Sequence, residues 1–450
     1  MRQPRSTRRD FVKLTAKASA VAAVIGPQVF VPRARAAALF APPNESIAAW
    51  RSVALSILKP SAQQLEHGLQ LHAQSLVFES YGFAPRAAID SDAMNAAIKA
   101  GASDDELAEL VEELPMLGYA SDAREREEFL QAFRAAGVTC VFQNCGEEGN
   151  SPMRLIKRLA RFTAVTDTMR GELLKAANPE EVVAAKAAGK LCLYFTTNGV
   201  PLPQEWRTTR DELRMIKVFQ QLGVRMMHVT YNRRNPIGDG AGEPNDGGLS
   251  DFGRQVVGEL NRRGVIADVA HSGWRTSLEA AKASARPMVA SHTTCCGVYR
   301  HFRGKPDEVI KAICDTGGLV GICCIPRFLG GRGDISAFLD HIDYAVKKFG
   351  ADHVAVGPDI SYTSRHDATA RARINWGTRR PRSAERWEGL WPRDEFTTTP
   401  QAIQSLAWTN WPLFTVGLVQ RGHSDETIRK ILGENVLRVT RANYSPKPAA

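Results

Sequence analysis

Eight short apolar segments recur along the chain, and helical patterns fill most of the intervals between them. The segments are rich in Val, Leu, Ile and Met, and polar or small residues follow each one. Such runs predict buried parallel strands, and apolar residues three to four positions apart predict helices. The segments are Ser75–Phe78, Val138–Phe142, Lys190–Phe195, Arg225–Thr230, Val265–Ala270, Pro287–Ala290, Leu319–Ile322 and His353–Val356.

This alternation predicts an α/β fold, a (β/α)8 barrel of the TIM type with extra C-terminal helices. An open doubly wound sheet is the rival, but no glycine-rich phosphate-binding fingerprint follows any predicted strand. The barrel would occupy residues 75–450, with closing helices near Gln401–Gln420 and Ser424–Ile431, after an N-terminal linker and helical segment at residues 37–74. The longest helix predicted inside the barrel is Pro152–Leu174.

Residues 1–36 differ from the rest of the chain. Arg8-Arg9 precedes a modest apolar stretch, Leu14–Ile25, and a small-x-small sequence ends at Ala36. This order predicts a twin-arginine signal cleaved near Ala36, and therefore a periplasmic protein that the twin-arginine export machinery carries. A basic disordered arm is the alternative.

Most of the positive charge lies in that first segment. The chain has a formal net charge of +10; residues 1–36 hold eight Lys or Arg and one acid, and removing their +7 leaves +3. The remainder gives no support to nucleic-acid binding. No apolar run is long enough to span a membrane. The eight cysteines form no CxxC pair, and few disulfides are expected.

Chemically capable side chains follow three predicted strands. His271 and His292 follow two neighbouring strands, and Asp359 follows the last one. The carboxyl ends of parallel barrel strands form one rim, so we expect these side chains to converge. Two imidazoles and a carboxylate suit a divalent ion, most naturally zinc. In the alternative interpretation each histidine forms hydrogen bonds only within its own loop.

Longer motifs surround these residues: Asp268-Val-Ala-His271, Ser291-His292, Arg303 before Pro306-Asp307, Leu339-Asp340-His341-Ile342, Gly357-Pro358-Asp359 and Asn435-Val-Leu-Arg438-Val. In them the chain resembles the membrane (renal) dipeptidase family, peptidase family M19, most strongly from about residue 213 to 360. The resemblance implies a dipeptide hydrolase with a (β/α)8 barrel fold and two zinc ions. It also implies that His271 and His292 bind one ion. Arg303 would hold the substrate carboxylate, and Asp359 would transfer protons.

Other ligands that the resemblance implies are replaced. Tyr81 and Phe83 stand where the family has the His and Asp of its first metal site. Asn198 stands at the bridging glutamate, and Tyr231 at a histidine that polarises the substrate. We therefore expect one zinc site at most, with the second site lost.

Roles for the retained and substituted residues follow from the same resemblance. We assign Asp359 and Tyr231 to catalysis, and Arg303, Tyr81 and Asn198 to substrate binding. Compensation by a displaced glutamate is the less favoured hypothesis: Glu79 would share a strand face with Tyr81 by simple alternation. Glu147 and Glu148 follow the second strand. The histidines interpreted as structural are His72, His228, His301, His341 and His353.

The segment Arg365–Glu395 leaves the last strand on the same rim and carries eight arginines and three tryptophans. It either covers the barrel mouth, binding an anionic or aromatic group, or packs as a surface excursion. If it covers the mouth, we expect a substrate larger than a simple dipeptide.

Three functions are compatible with these features. The first is a periplasmic metallohydrolase acting on dipeptides or small peptide-like substrates. The second is a dipeptidase homologue without hydrolytic activity that binds, or helps to mature, an exported peptide-like natural product. The third is a metal-free acid–base enzyme that uses His271 or His292 with Asp359. The oligomeric state is left open, with a homodimer as one option.

Overall fold

Nine strands form the centre of the described chain, which comprises residues 40–146, 151–377 and 391–444 of a computed structural model. The predicted twin-arginine segment lies outside these residues. The strands are β1 Phe78–Gly82, β2 Cys140–Asn144, β3 Leu173–Ala176, β4 Leu191–Thr197, β5 Val224–His228, β6 Ile266–Asp268, β7 Val289–Thr293, β8 Leu319–Ile322 and β9 Val354–Val356.

Eight of these strands form a nearly closed parallel barrel in the order β1–β2–β4–β5–β6–β7–β8–β9. Every hydrogen-bonded pair among them is parallel. They coincide with the eight predicted apolar segments to within a few residues at either end. The predicted (β/α)8 fold class is therefore confirmed, and the open doubly wound sheet is excluded.

The ninth strand, β3, corrects the predicted helix Pro152–Leu174. The helix ends at Thr168, and Leu173–Ala176 then pairs in parallel with the first half of β4. β5 reaches only the second half of β4, from Phe195 onward, so β3 supplies the hydrogen bonds that the first half would otherwise lack. This tertiary pairing overrides a local helical pattern.

Helices surround the barrel, and polar caps fix several of their ends. Ser250 accepts a hydrogen bond from the amide of Gly253 at the start of one helix, and Gly264 ends it with φ 68°. No helix within the described ranges is long and apolar enough to cross a membrane. The helices are α1 Glu45–Leu58, α2 Ala62–Gln74, α3 Ser91–Lys99, α4 Asp104–Ser121, α5 Ala123–Ala136, α6 Pro152–Thr168, α7 Pro179–Ala188, α8 Thr209–Gln221, α9 Asp251–Arg263, α10 Trp274–Ala283, α11 Asp307–Asp315, α12 Pro326–Leu329, α13 Ile335–Phe349, α14 Asp367–Ala372, α15 Pro400–Ser405, α16 Trp411–Gln420, α17 Asp425–Arg429 and α18 Asn435–Asn443.

A hydroxyl group links β1 to β7 across the barrel. Ser80 on β1 donates a hydrogen bond of 2.7 Å to the carbonyl oxygen of Ser291 on β7. The chain after β9 passes so close that a Cβ at Gly357 would lie 2.0 Å from the same carbonyl oxygen. Only glycine allows this approach, which brings the end of β9 beside β1.

A bulge in β1 separates two residues that alternation would place together. Glu79 pairs with Val141, but Gly82 already pairs with Gln143, so β1 holds one extra residue. Glu79 therefore faces the outer helices, and Tyr81 turns toward the barrel interior. The expectation that Glu79 shares a face with Tyr81 is wrong, and Glu79 is not available to rebuild a metal site.

Glu79 is instead a buried acceptor for two tryptophans. The indole Nε1 groups of Trp408 and Trp411 each donate to Glu79 Oε1 at 2.6 Å. Burial raises the pKa of Glu79 well above its usual value, which favours the protonated form of the side chain. This contact ties the C-terminal helices to β1.

We expect Glu79→Ala to lower the free energy of unfolding by about 2–5 kcal/mol, because two buried indole N–H groups lose their acceptor. Glu79→Gln, which keeps a neutral acceptor of the same shape, should change it by less than about 1 kcal/mol. Denaturant unfolding at pH 7 measures both. Equal losses in the two variants would show that a charged carboxylate is needed.

Candidate active site

The barrel interior changes from apolar to polar toward the carboxyl ends of the strands. Its lower layer holds apolar side chains such as Phe78, Met226 and Ile266. Two positions further along β5 and β6, the inward residues are His228 and Asp268, both fully buried. A charged or polar group at this depth is costly unless it has a partner or a ligand.

Three histidines meet at this level. One ring nitrogen from each of His228, His271 and His292 lies within 4.8 Å of the other two. The predicted pair is the closest, with 2.8 Å between His271 Nε2 and His292 Nε2. His228, which the sequence analysis interpreted as structural, lies beside this pair, with its ring centroid 5.3 and 5.4 Å from theirs.

The second ring nitrogen of two of these histidines is fixed by an oxygen acceptor. His228 Nδ1 lies 2.7 Å from the carbonyl oxygen of Thr197, which can only accept a hydrogen bond. His271 Nδ1 lies 2.9 Å from Asn232 Oδ1, which also accepts. Both rings therefore carry their proton on Nδ1 and turn the Nε2 lone pair toward the centre.

His292 is also protonated on Nδ1, through a hydrogen bond to Ser291 that continues to Asp268. Its Nδ1 lies 2.9 Å from Ser291 Oγ, and the Ser291 hydroxyl donates its own proton to Asp268 Oδ2. The hydroxyl must then accept from Nδ1–H. All three rings are thus held by their outer nitrogen with Nε2 turned toward the centre, which is how proteins orient metal-binding histidines.

The three converging Nε2 atoms carry no proton, because each neutral ring has its proton on Nδ1. Burial, followed by the charge of Arg303, holds the pKa of His271 and His292 well below the usual value, so both rings are neutral. Burial also lowers the pKa of His228. Its Nε2 is buried without a hydrogen-bond partner among the described residues, although Asp268 Oδ2 lies 3.0 Å away at an unsuitable angle.

A divalent cation fits this donor set. It would be attracted by three lone pairs and by the carboxylate of Asp268, and it would remove the repulsion between the facing nitrogens. Three imidazoles with an open fourth position form a known ligand set for catalytic zinc. Within the described ranges, no second cluster of three His, Cys, Asp or Glu side chains is close enough to share an ion.

Two tyrosines cover the histidine pair. The Tyr81 ring stacks on His292, with centroids 3.8 Å apart, and Tyr231 stacks on His271 at 4.0 Å. The Tyr81 hydroxyl donates to Asn198 Oδ1 at 2.8 Å. Burial, reinforced by nearby Asp359, raises the pKa of Tyr81, so the phenol stays protonated. Two residues that replace expected metal ligands are therefore bonded to each other as neutral groups.

Arg303 is completely buried beside the histidines. Its Nη1 donates to the carbonyl oxygen of Ala270, and its Nη2 lies 3.2 Å from His271 Nε2. Its guanidinium carbon lies 5.4 Å from the ring centre of Phe328. If His271 Nε2 binds an ion, Nη2 is released for a carboxylate, which a guanidinium binds well.

Asp359 joins the site from the end of β9. Its φ of 58° lies in the left-handed region, which is uncommon for residues other than glycine and recurs at functional sites. Burial raises its pKa to about 7, although Arg303 and Arg327 act against the rise. A carboxyl group that titrates near neutrality can accept and release a proton, as the predicted role requires.

A strap of residues 391–396 lies along the rim. Trp391 is 6.5 Å from the ring of Tyr231, and the Arg327 guanidinium carbon is 5.9 Å from the Trp391 ring. Asp394 Oδ2 lies 3.2 Å from His301 Nε2. This end of the predicted Arg365–Glu395 loop therefore packs against site residues. The loop's residues 378–390 lie outside the described ranges.

Sequence reasoning found most of this site but missed its deepest members. His271, His292, Tyr81, Asn198, Tyr231, Arg303 and Asp359 all come together around the barrel axis. The missed residues are His228 and Asp268. The sequence carried a partial signal, because Met226 and His228 on β5, and Ile266 and Asp268 on β6, are two residues apart and must share a strand face. Which face is the inner one does not follow from this spacing.

Comparisons with known proteins identify the family and the fold. The profile of the membrane dipeptidase family (peptidase family M19) matches residues 120–367, more than half of the chain. Dipeptidase tcpJ from Claviceps purpurea (strain 20.1) is 26% identical over 233 residues. That match covers 50% of this chain and 46% of the relative, so the chain spans about half the length of the curated protein it matches.

Solved structures share the fold. An amidohydrolase from Pseudomonas aeruginosa superposes with a TM-score of 0.59 at 24% identity, covering 84% of this chain and 98% of the other. A metallo peptidase from Rhodobacter sphaeroides, liganded with a phosphinate mimic of the dipeptide L-Ala-D-Ala, gives 0.58 at 17% identity. That match covers 82% of this chain and 100% of the other.

The raised pKa of Asp359 predicts how stability changes with pH in chelator-treated protein. An unfolded Asp loses its proton near pH 3.8, whereas folded Asp359 keeps it until about pH 7. The folded state thus binds more protons between these values, and wild type loses stability relative to Asp359→Asn as pH rises through this window. At about 1.4 kcal/mol per pKa unit, the difference grows to at most about 4 kcal/mol.

Denaturant unfolding of both proteins at pH 4 and pH 8 measures this difference. The two should be nearly equal at pH 4, and the Asn variant should be the more stable at pH 8. Equal stability at pH 8 would contradict the burial of an ionisable Asp359.

Proposed function

The chain belongs to the membrane dipeptidase family (peptidase family M19), and on that premise we propose that it hydrolyses small peptides with one zinc ion at His228, His271 and His292. The family supplies the metallohydrolase fold. The observation that carries the proposal is the convergence of three Nε2 lone pairs whose rings are all protonated on Nδ1. The neutral hydrogen bond between Tyr81 and Asn198 supports a single ion, because it occupies the place of the expected second set of ligands.

The chain's own residues divide the remaining work. Arg303 binds the substrate's free carboxylate and orients the peptide bond toward the centre. Asp359, with its pKa near 7, takes up a proton as the nucleophile attacks and gives it to the leaving amine. Tyr231, stacked on His271, donates a hydrogen bond to the substrate where the family has a histidine. When bound, a zinc ion supplies Lewis acidity and lowers the pKa of a water molecule.

The proposed setting is the periplasm. Support comes from the twin-arginine pattern at Arg8-Arg9, with cleavage near Ala36. Export in the folded state is compatible with eight cysteines that are all free thiols.

A second candidate is a homologue that binds a peptide-like natural product, or assists its maturation, without hydrolysing it. The observation that favours it is again the Tyr81–Asn198 pair, since neutral hydrogen-bonding groups recognise a ligand but cannot hold the second ion of the family mechanism. Arg303 would then serve recognition alone.

Metal content distinguishes one ion from two or none. We expect the purified protein to bind about one equivalent of zinc, and His228→Ala and His292→Ala to lower its affinity by at least about 100-fold, because each removes a ligand. Elemental analysis and competition with a chelating dye measure this. His67→Ala, which changes a surface histidine paired with Asp425, is the matched control.

Unchanged zinc affinity in His228→Ala would show that His228 is not a zinc ligand. Two equivalents in wild type would contradict the single-ion proposal.

Hydrolysis separates the two candidate functions. We expect zinc-loaded protein to cleave members of a dipeptide panel that includes D-configured C-terminal residues. Asp359→Asn should lower kcat by about 10²–10⁴-fold, because it removes the proton-transfer group. Asp352→Asn, at an exposed residue paired with Lys430, is the control. Binding of dipeptides without cleavage by zinc-loaded wild type would favour the second candidate.

A further inference from the structure

A cleft of about 750 Å³ opens beside the site, between the loops that follow β8 and β9 and the helices α1 and α15. This volume is in the range of clefts that hold small organic ligands, roughly 300–1,000 Å³. Its walls combine aromatic and aliphatic side chains with hydroxyl groups. The residues that define this β8–β9 cleft are Trp50, Ile325, Arg327, Tyr362, Ile403 and Trp408.

The cleft adjoins the reaction centre. Ile360, which lines it, directly follows Asp359 in the chain. Arg327 lines its inner end, and the charge of Arg327 acts on the carboxyl group of Asp359. The cleft therefore lies next to a substrate held at Asp359.

Arg327 carries a positive charge beside the cleft and has no close ionic partner in the described part of the chain. Its guanidinium lies over the rings of Phe328 and Trp391, at 5.2 and 5.9 Å. It forms no ion pair or hydrogen bond with any residue in the described ranges, whereas the neighbouring charges are paired. Arg365 lies 3.7 Å from Glu128, and Asp367 lies 2.6 Å from Arg371.

We propose, on the premise of the function above, that the β8–β9 cleft is a subsite for peptides longer than a dipeptide, and that Arg327 binds an acidic residue of the peptide. The planar guanidinium, already held between two rings, suits bidentate binding of a carboxylate. The apolar and hydroxyl-bearing walls accommodate the remaining peptide chain. The preferred substrate class is therefore a short acidic peptide rather than a free dipeptide.

Isosteric peptides test the charge preference. The full-length mature protein is titrated with tripeptides that carry either Glu or Gln at either end of one dipeptide, and affinity is measured by calorimetry. We expect wild type to bind at least one Glu peptide about 10-fold more tightly than its Gln counterpart, and Arg327→Met to lose this preference. Arg300→Met is the matched control, because Arg300 also lies over an indole ring, that of Trp274 at 4.9 Å, but lines a different cleft.

A second variant tests the cleft itself. Ile403 is 56% exposed on α15, so Ile403→Glu leaves the core intact and places a negative charge on the cleft wall. It should weaken binding of the acidic tripeptide about 5–10-fold and leave dipeptide binding unchanged. Equal affinity for Glu and Gln peptides in wild type, or a retained preference in Arg327→Met, would overturn the subsite.

The outcomes separate this subsite from the proposed hydrolysis. Dipeptide cleavage without any Glu preference would leave the proposed function standing and refute the subsite. A Glu preference that depends on Arg327, without cleavage of any peptide, would support the subsite and refute the hydrolase.

Discussion

Repulsion between imidazole nitrogens is the constraint on which this centre depends. The three rings are neutral, each ring proton is directed outward to a fixed acceptor, and two Nε2 atoms still face each other at 2.8 Å. Burying facing nitrogen lone pairs is unfavourable and lowers the stability of the folded barrel. Hydrophobic packing alone would therefore not produce this arrangement. The surrounding hydrogen bonds hold the rings in place, and Asp268 supplies the negative charge that a cation would balance.

The bulge in β1 decides which residues take part. By strand alternation Glu79 and Tyr81 would share a face, and a carboxylate would then reach the barrel axis. The extra residue turns the carboxylate outward to two indoles and brings a phenol inward to His292 and Asn198. One backbone irregularity thus joins two parts of the molecule, since it anchors the C-terminal helices outside the barrel and sets the polarity of the site inside it.

The sequence predicted the barrel and most of its rim, because both depend on short-range patterns. Apolar runs locate strands, and residues such as His271 and Asp359 directly follow them. It could not predict β3, whose hydrogen bonds depend on how far β5 extends along β4. His228 was missed because the sequence does not show whether its side chain faces the barrel interior or the surrounding helices until the register of β5 is known. The orientation of Glu79 depends on a bulge, for which Gly82 is only a weak local signal.

The hydrogen bond between Tyr81 and Asn198 also has an evolutionary meaning. The two residues lie at the ends of different strands, β1 and β4, and each satisfies the other. Restoring an acidic ligand at position 198 alone would bury a carboxylate against a phenol, and changing Tyr81 alone would leave a buried amide without its donor. Each single substitution toward the two-metal ligand set that the family resemblance implies therefore costs stability before any second ion can bind. The pair therefore opposes any single substitution that would introduce a second set of metal ligands, and two coordinated changes would be needed to replace it.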